Sequence, residues 1–510
     1  MPGVKPGEWY IAEDADVAMR FDEPGSGEYV NIDRAVATPQ SLRVRKWFNS
    51  YRFRLEGVPN IRGRMLAGDE HFLISSRRLG DVEFRKYTPV FLPEPPFRYR
   101  EPITNTIEIN ETVYGYAPGY YTSKTIEKRD NKSYWQVLFD VAEGVVRNIR
   151  RNELPMEMDI YQPADDTLSL RPLIVLLHAG AFIAGDKRDE LVSSLAQDYA
   201  RKGFVVASVN YRLGYVFLPG RYSNLERAMY SAVQDVRAAL RYLSFHHQEY
   251  RIDPDMIFLA GHSAGGILSL KTSLMEEEDV WPSARGSLLR LQPDLECLDC
   301  STNDLYGPFT IQAVVNMWGA VDNLELFKPG LRLPILSIHG DQDQVVPYGH
   351  DFPFGNVSTL VSAFFSRKIH GSASIDERAR RLGLDHTLYT FEGWGHEPHF
   401  DDEHVLIPEN YQVIHDEVLA FFNQQLSAPP EEFFGPLIVS ADDPVADYYF
   451  MPDDRYNSYK FQCDQCLVLS HTPHSARIVW LAGEKGYELR IAGFGRHGQV
   501  YLENVPVEIR

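Results

Sequence analysis

The stretch Ile257-Phe258-Leu259-Ala260-Gly261-His262-Ser263-Ala264-Gly265-Gly266 decides how the chain is read. Four residues form a short apolar strand that runs straight into G-x-S-x-G, and the run that follows, Ile267-Leu268-Ser269-Leu270-Lys271, suits a helix. A serine on so sharp a strand-to-helix turn is held clear of the backbone with its hydroxyl exposed. Glycine at 261 and 265 is then required, because a larger side chain would strike the neighbouring strand and helix. The pentapeptide alone also matches a glycine-rich turn, so its meaning depends on what flanks it.

Upstream, the pattern alternates between buried strands and one-sided helices. Glu157-Met158-Asp159-Ile160-Tyr161-Gln162-Pro163 reads as a first strand and Leu173 to Leu177 as a second, followed by His178-Ala179-Gly180-Ala181-Phe182. The apolar positions Leu191, Val192, Leu195, Ala196 and Tyr199 recur at helical spacing and stop at Gly203, a natural C-terminal glycine. Phe204 to Val209 is another strand. A longer helix then puts Leu225, Ala228, Met229, Ala232, Val233, Val236, Ala239, Leu240 and Leu243 on one stripe, with Asp235 and Arg237 off it.

Downstream, Ile311 to Met317 and Pro334 to Ile338 read as strands, the latter leading into His339-Gly340-Asp341-Gln342-Asp343-Gln344-Val345-Val346-Pro347. Thr387 to Phe391 leads into Glu392-Gly393-Trp394-Gly395-His396-Glu397, and Val413 to Leu426 reads as a closing helix. Continuous apolar strands separated by amphipathic helices imply a doubly wound, mostly parallel α/β sheet covered on both faces. In such sheets the chemistry gathers beyond the carboxyl ends of the strands.

The bulk properties narrow the function classes. With 510 residues, two or three domains are expected, and 44% hydrophobic with 24% charged residues is a globular composition. No apolar run approaches the ~20 residues a membrane-spanning helix needs. A formal net charge of -20 argues against nucleic acid or anionic lipid as partners, because both bind proteins largely through lysine and arginine. The opening Met1-Pro2-Gly3-Val4-Lys5-Pro6 lacks the apolar core of a secretory signal, so either a cytoplasmic protein or an export segment outside this sequence is expected. The four cysteines form two C-x-x-C pairs, Cys297/Cys300 and Cys463/Cys466. A shared zinc site is one reading. The pairs fall in different predicted domains without a zinc-ribbon pattern, which favours two local disulfides or free thiols.

Three domains are predicted. Residues 1–105 form an accessory β-rich region, with alternation in Tyr51-Arg52-Phe53-Arg54-Leu55 and Phe72-Leu73-Ile74, ending in the proline cluster at 93–96. Residues 106–428 form the α/β unit, with an inserted cap around 272–310. After the linker Ser427-Ala428-Pro429-Pro430, residues 433–510 carry short strands such as Tyr448-Tyr449-Phe450 and Arg477-Ile478-Val479-Trp480, consistent with a β-sandwich.

Serine needs a base to become a nucleophile at neutral pH, and that base needs a carboxylate to fix its tautomer. The chain supplies serine, aspartate and histidine in that order, each just past a strand, and here it resembles the α/β-hydrolase carboxylesterases. Residues 178–182 are similar to the H-G-G-[GA]-F oxyanion loop of that family, and residues 261–266 to its nucleophile elbow. Carried over by position, the resemblance implies Ser263 as nucleophile, Asp343 as the acid of an H-G-x-x-D-x-x-V-P pattern and His396 as the general base. It also implies an oxyanion hole of the backbone N–H groups of Gly180, Ala181 and Ala264. Asp341 is the competing acid and reads rather as a turn residue; His399 and His404 compete with His396 but do not follow the glycine turn. Ala179 departs from the family's first glycine, and its methyl is expected to narrow the acyl side. Trp281, Leu289, Leu291, Tyr306 and Trp318 either wall the pocket or only pack the cap onto the sheet.

The resemblance implies hydrolysis of a small-molecule or polymer-attached carboxylic ester without a cofactor. The segment from Phe433-Phe434-Gly435-Pro436 onward looks like the Ig-like or PKD-like modules of exported bacterial esterases, which implies an extracellular or cell-envelope protein. The acid limb of activity is expected near the ordinary imidazole value of about 6.5. A serine peptidase of the same fold competes, although no blade-like repeat is present. So does a metal-dependent hydrolase built on His396, His399, Asp401, Asp402 and His404, for which a solvated acidic loop is the plainer account. A non-catalytic binding module would require a misplaced triad member.

Overall fold

The computed structural model describes residues 9–12, 17–23, 26–31, 40–47, 50–55, 61–67, 71–76, 80–119, 152–215, 222–286, 293–355, 367–401, 403–430, 432–481 and 486–510. The chain divides into two compact units, residues 96–426 and residues 1–95 together with 427–510.

The larger unit is built on one eight-stranded sheet. Its strands are β1 (Ile107–Gly119), β2 (Asn152–Pro163), β3 (Arg171–Leu177), β4 (Val205–Val209), β5 (Ile252–His262), β6 (Ile311–Met317), β7 (Ile335–Gly340) and β8 (His386–Phe391). Their spatial order is β1-β2-β4-β3-β5-β6-β7-β8. The six strands from β4 to β8 pair in parallel, whereas β2 runs antiparallel to both β4 and β1. The parallel strands are apolar throughout because successive side chains enter cores on opposite faces. Leu173, Val175 and Leu177 join one core, Ile174 and Leu176 the other.

Helix α1 (Glu190–Arg201) starts where the Asp189 side chain accepts from the Leu191 N–H at 3.1 Å, and buries the stripe read from its spacing. It stops before Gly203, whose φ of +106° suits glycine alone. Helix α2 (Tyr222–Phe245) lies on the face of Leu173, and α3 (Ala264–Leu274) follows β5 there. Helices α4 (Ser372–Leu382) and α5 (Pro408–Leu426) complete the unit, α5 packing with α1 on the face of Ile174.

Asp235 corrects the reading of α2. It is fully buried and takes the backbone N–H of Arg212 at 2.8 Å and the Arg212 guanidinium at 2.8 Å. A charge apparently off the stripe is thus a core residue, because a neighbouring loop brings it a buried partner. The edge strand β1 is also absent from the sequence reading: most of its residues are exposed, so it carries no apolar run.

In the smaller unit, eight strands between Trp9 and Lys86 close an antiparallel barrel. Its C-terminal part has two four-stranded sheets, with Tyr448, Phe450 and Trp480 from one meeting Tyr459, Phe461 and Ile491 from the other in a common core. Cys297 is bonded to Cys300 and Cys463 to Cys466, so no thiolate of these pairs is free for zinc and the shared-site reading falls.

Candidate active site

The turn between β5 and α3 imposes an uncommon backbone on Ser263, with φ 54° and ψ -116°. Conformations of this kind cost about 1–3 kcal/mol and need support from the surroundings. The Ser263 N–H donates to the Met317 carbonyl at 2.9 Å, tying the turn to β6. Close packing adds a second constraint. A Cβ on Gly261 would lie 2.3 Å from the Gly265 carbonyl oxygen, and one on Gly265 would lie 2.1 Å from that of Leu177, so both positions exclude any side chain.

Loops after β7 and β8 bring the partners. His396 Nε2 is 3.0 Å from Ser263 Oγ, and His396 Nδ1 is 2.7 Å from Asp343 Oδ2. Asp343 Oδ1 accepts the N–H groups of Val345 at 2.8 Å and Val346 at 3.0 Å. Burial alone would raise the Asp343 carboxyl, but the His396 imidazole and hydrogen bonds from His339 and His396 hold it far below the usual carboxylate range. For His396 burial opposes the charge, yet adjacent Asp343 prevails and raises it above the ordinary imidazole value. The expected acid limb therefore moves upward from the position read from the sequence.

His339, at the end of β7, escaped the sequence reading as a site residue. Its Nε2 lies 3.1 Å from Asp343 Oδ2, and its Nδ1 lies 2.8 Å from Ser372 Oγ. With Nε2 protonated, it donates to the carboxylate while Ser372 donates to Nδ1. The H-G-x-x-D stretch contained this residue, but four residues across a turn give no spacing signal that two side chains will meet.

The loop after β3 is folded back on itself. Gly180, Ala181 and Phe182 have φ of 115°, 52° and 62°, and the N–H groups of Ile183 and Ala184 both donate to the Gly180 carbonyl at 2.9 Å. Tyr211 stacks on His178 at 4.3 Å and donates to its carbonyl at 2.9 Å, holding the loop from below. The Ala179 N–H donates to His262 Nε2 at 3.2 Å. Among the described residues, the N–H groups of Gly180, Ala181 and Ala264 donate to no protein acceptor. Ala181 and Ala264 line the same cavity as Ser263, while Ala179 is not part of its wall, contrary to the expected narrowing.

That cavity is apolar along Phe182, Leu225, Met229, Ile267, Val345 and Phe354. Of the residues expected to wall it, Trp281, Tyr306 and Trp318 are not among the lining: Trp281 lies directly behind the lining residues Lys271 and Asp322, Trp318 is buried against His399, and Tyr306 is 86% exposed; Leu289 and Leu291 lie outside the described residues. Trp281 packs on the ammonium of Lys271, which itself borders the cavity.

Among the described residues, none of the competing groups hydrogen-bonds the Ser263 hydroxyl. Asp341 accepts the Gly393 N–H at 2.7 Å, a turn contact. His399 is buried against Trp318, its two ring nitrogens have no hydrogen-bond partner among the described residues, and burial pushes its imidazole down to about 3. His404 is packed edge-on to Phe400. Asp401 caps its own turn by accepting from Glu403 and Val405, and Asp402 lies outside the described residues. Among the described residues no group of three His, Cys, Asp or Glu side chains converges as metal ligands.

Sheet order, the strained serine turn and the loops at the strand ends define an α/β-hydrolase fold. Comparison with known proteins points the same way: a family model described as BD-FAE matches residues 158–330. The chain is 30% identical over 253 residues to a probable isoprenylcysteine alpha-carbonyl methylesterase of Arabidopsis thaliana, covering 47% of this chain and 48% of that protein. It is 27% identical over 183 residues to LipM, a probable carboxylic ester hydrolase of Mycobacterium tuberculosis, covering 35% and 36%. Lipase 1 of Geotrichum candidum matches at 28% over 134 residues, 26% of this chain and 23% of that protein. The chain thus spans between about a quarter and about a half of these relatives' lengths. Among solved structures, an esterase of Thermogutta terrifontis phosphorylated by paraoxon is 19% identical, with a TM-score of 0.34, covering 52% of this chain and 89% of its own.

Proposed function

We propose that the 96–426 unit is a serine carboxylesterase acting through an acyl-enzyme. The observation that carries this reading is the continuous hydrogen-bonded line Asp343–His396–Ser263 opening onto an apolar cavity beside unengaged backbone N–H groups. Neutral His396 accepts the Ser263 proton at Nε2 as Oγ bonds to the ester carbonyl carbon, and Asp343 stabilises the resulting imidazolium. The carbonyl oxygen becomes an oxyanion next to the N–H groups of Gly180, Ala181 and Ala264, where one lost donor raises the barrier by about 3–4 kcal/mol. The imidazolium then protonates the departing alcohol. Water, deprotonated by the same nitrogen, releases the carboxylic acid and restores Ser263.

Replacing Ser263 by alanine is expected to lower turnover of a nitrophenyl ester by ~10⁴-fold or more, leaving only the contribution of the oxyanion donors and binding. Full activity in that variant would end the assignment. Peptide amides tested in parallel separate an esterase from a peptidase, and indifference to chelator separates both from a metal-dependent hydrolase. We extend the reading to an extracellular or cell-envelope location, with the C-terminal sheets as an Ig-like or PKD-like module; the two disulfide pairings support an oxidising compartment.

A further inference from the structure

The wall of the cavity that contains Ser263 holds one feature the ester reaction does not use. Lys271, on α3, and Asp322, just past the short strand Ala320–Val321, both border the cavity and form an ion pair with Nζ 2.5 Å from Oδ1. Their side chains are only 2% and 6% exposed. Trp281 completes the cluster: its Nε1–H donates to Asp322 Oδ2 at 2.8 Å, and its ring centroid lies 4.3 Å from Nζ.

Stability does not account for this pair. Taking two ions out of water offsets most of their mutual attraction, and apolar residues of similar volume commonly serve the fold as well. Its hydrogen-bonding capacity is also unfilled. An ammonium carries three N–H donors, and among the described residues Lys271 Nζ makes a single hydrogen bond, to Asp322. The Asp322 carboxylate accepts Lys271 Nζ, Trp281 Nε1–H and its own backbone N–H, which leaves one of its roughly four acceptor sites open. The cluster therefore presents a spare donor and a spare acceptor side by side in an otherwise apolar cavity.

Charge and geometry narrow what fits. The pair is neutral overall, so a carboxylate or an ammonium on the substrate would bury a net charge, whereas a hydroxyl brings one acceptor oxygen and one donor hydrogen. Lys271 is eight residues beyond Ser263, about 12 Å along a helix axis, and helical side chains lean back toward the N-terminus. That separation leaves room for a short apolar spacer between the scissile carbonyl and the hydroxyl.

Resting on the esterase reading, we propose that Lys271 and Asp322 form a specificity subsite for an ester whose buried arm ends in a hydroxyl group: Nζ–H donates to the hydroxyl oxygen, and the hydroxyl donates to the Asp322 carboxylate. Trp281 is a positioning residue that orients the carboxylate.

The test compares isosteric esters on the full chain: methyl 6-hydroxyhexanoate against methyl heptanoate for an acyl arm, and 6-hydroxyhexyl acetate against heptyl acetate for an alcohol arm. A purely apolar pocket would favour the methyl-ended member of each pair. The subsite predicts that kcat/KM favours the hydroxyl-ended member by about tenfold or more in one pair, since a buried polar site left unpaired rejects the analogue lacking its partner. In the double variant Lys271→Met/Asp322→Leu that preference disappears. If the double variant does not fold, the near-isosteric Asp322→Asn carries the test through a several-fold drop in the ratio. Equal or methyl-favouring rates in both wild-type pairs overturn the proposal, as does an unchanged ratio in a folded variant. Hydrolysis of the methyl-ended esters in those cases leaves the esterase reading standing; no turnover of any of the four esters removes both.

Discussion

At the scale of single residues, the site is a balance between desolvation and charge. Burial works against the imidazolium of His396, and the Asp343 carboxylate 2.7 Å away more than offsets it. The sign for catalysis follows directly. In the proposed mechanism only neutral His396 accepts the Ser263 proton, so the active fraction is expected to fall as pH drops through a value raised above the ordinary 6.5. A kcat/KM profile on a nitrophenyl ester is therefore expected to have its acid limb above about 6.5. Changing Asp343 to asparagine removes the charge that raises His396 while burial persists. Residual activity is then expected to be lower by ~10⁴-fold, with the acid limb displaced to lower pH. An acid limb that stays in place would mean that another carboxylate governs His396.

At the scale of secondary-structure elements, the determining contacts are those that tie loops to helices. Arg212, just beyond β4, and Asp235, on α2, are 4% and 0% exposed, and the Thr302 hydroxyl adds a 2.6 Å hydrogen bond to the same carboxylate. Truncating one partner leaves the other charge buried alone. Asp235→Ala is expected to destabilise the unit by about 3–5 kcal/mol, seen as a lower urea midpoint. The double change Arg212→Met/Asp235→Leu is expected to recover most of that loss, because no lone ion remains. The same kind of contact explains where sequence reading stopped. The stripe on α2 was legible because its apolar residues repeat with the helix, but the periodicity of Asp235 says nothing about Arg212, which arrives from a separate loop. Ser263, His396 and Asp343 were legible because each follows a strand in a recognisable order, whereas His339 was not, since only folding brings its ring against Asp343.

At the scale of the whole molecule, the two compact units have separate apolar cores. One is carried by the two faces of the eight-stranded sheet, the other by the paired sheets after Phe433. Chains of this kind depart from single two-state unfolding. Calorimetry of the full chain is expected to resolve two transitions, and covalent modification of Ser263 by an organophosphate to shift only one of them. A single transition that moves as a whole would show that the cores unfold together.

The sequence by itself determined the alternation of strand and helix, the serine turn and the order of the three polar side chains. These are local: apolar period, glycine where a Cβ cannot fit, and polar residues placed just after strands. Only the tertiary structure decided that Asp343 is shared by two imidazoles, that Trp281 stands behind the cavity lining rather than in it, and that Lys271 meets Asp322 at the cavity wall. Each of these depends on side chains from distant segments arriving at one point, and the distance between them along the chain carries no trace of the distance between them in space.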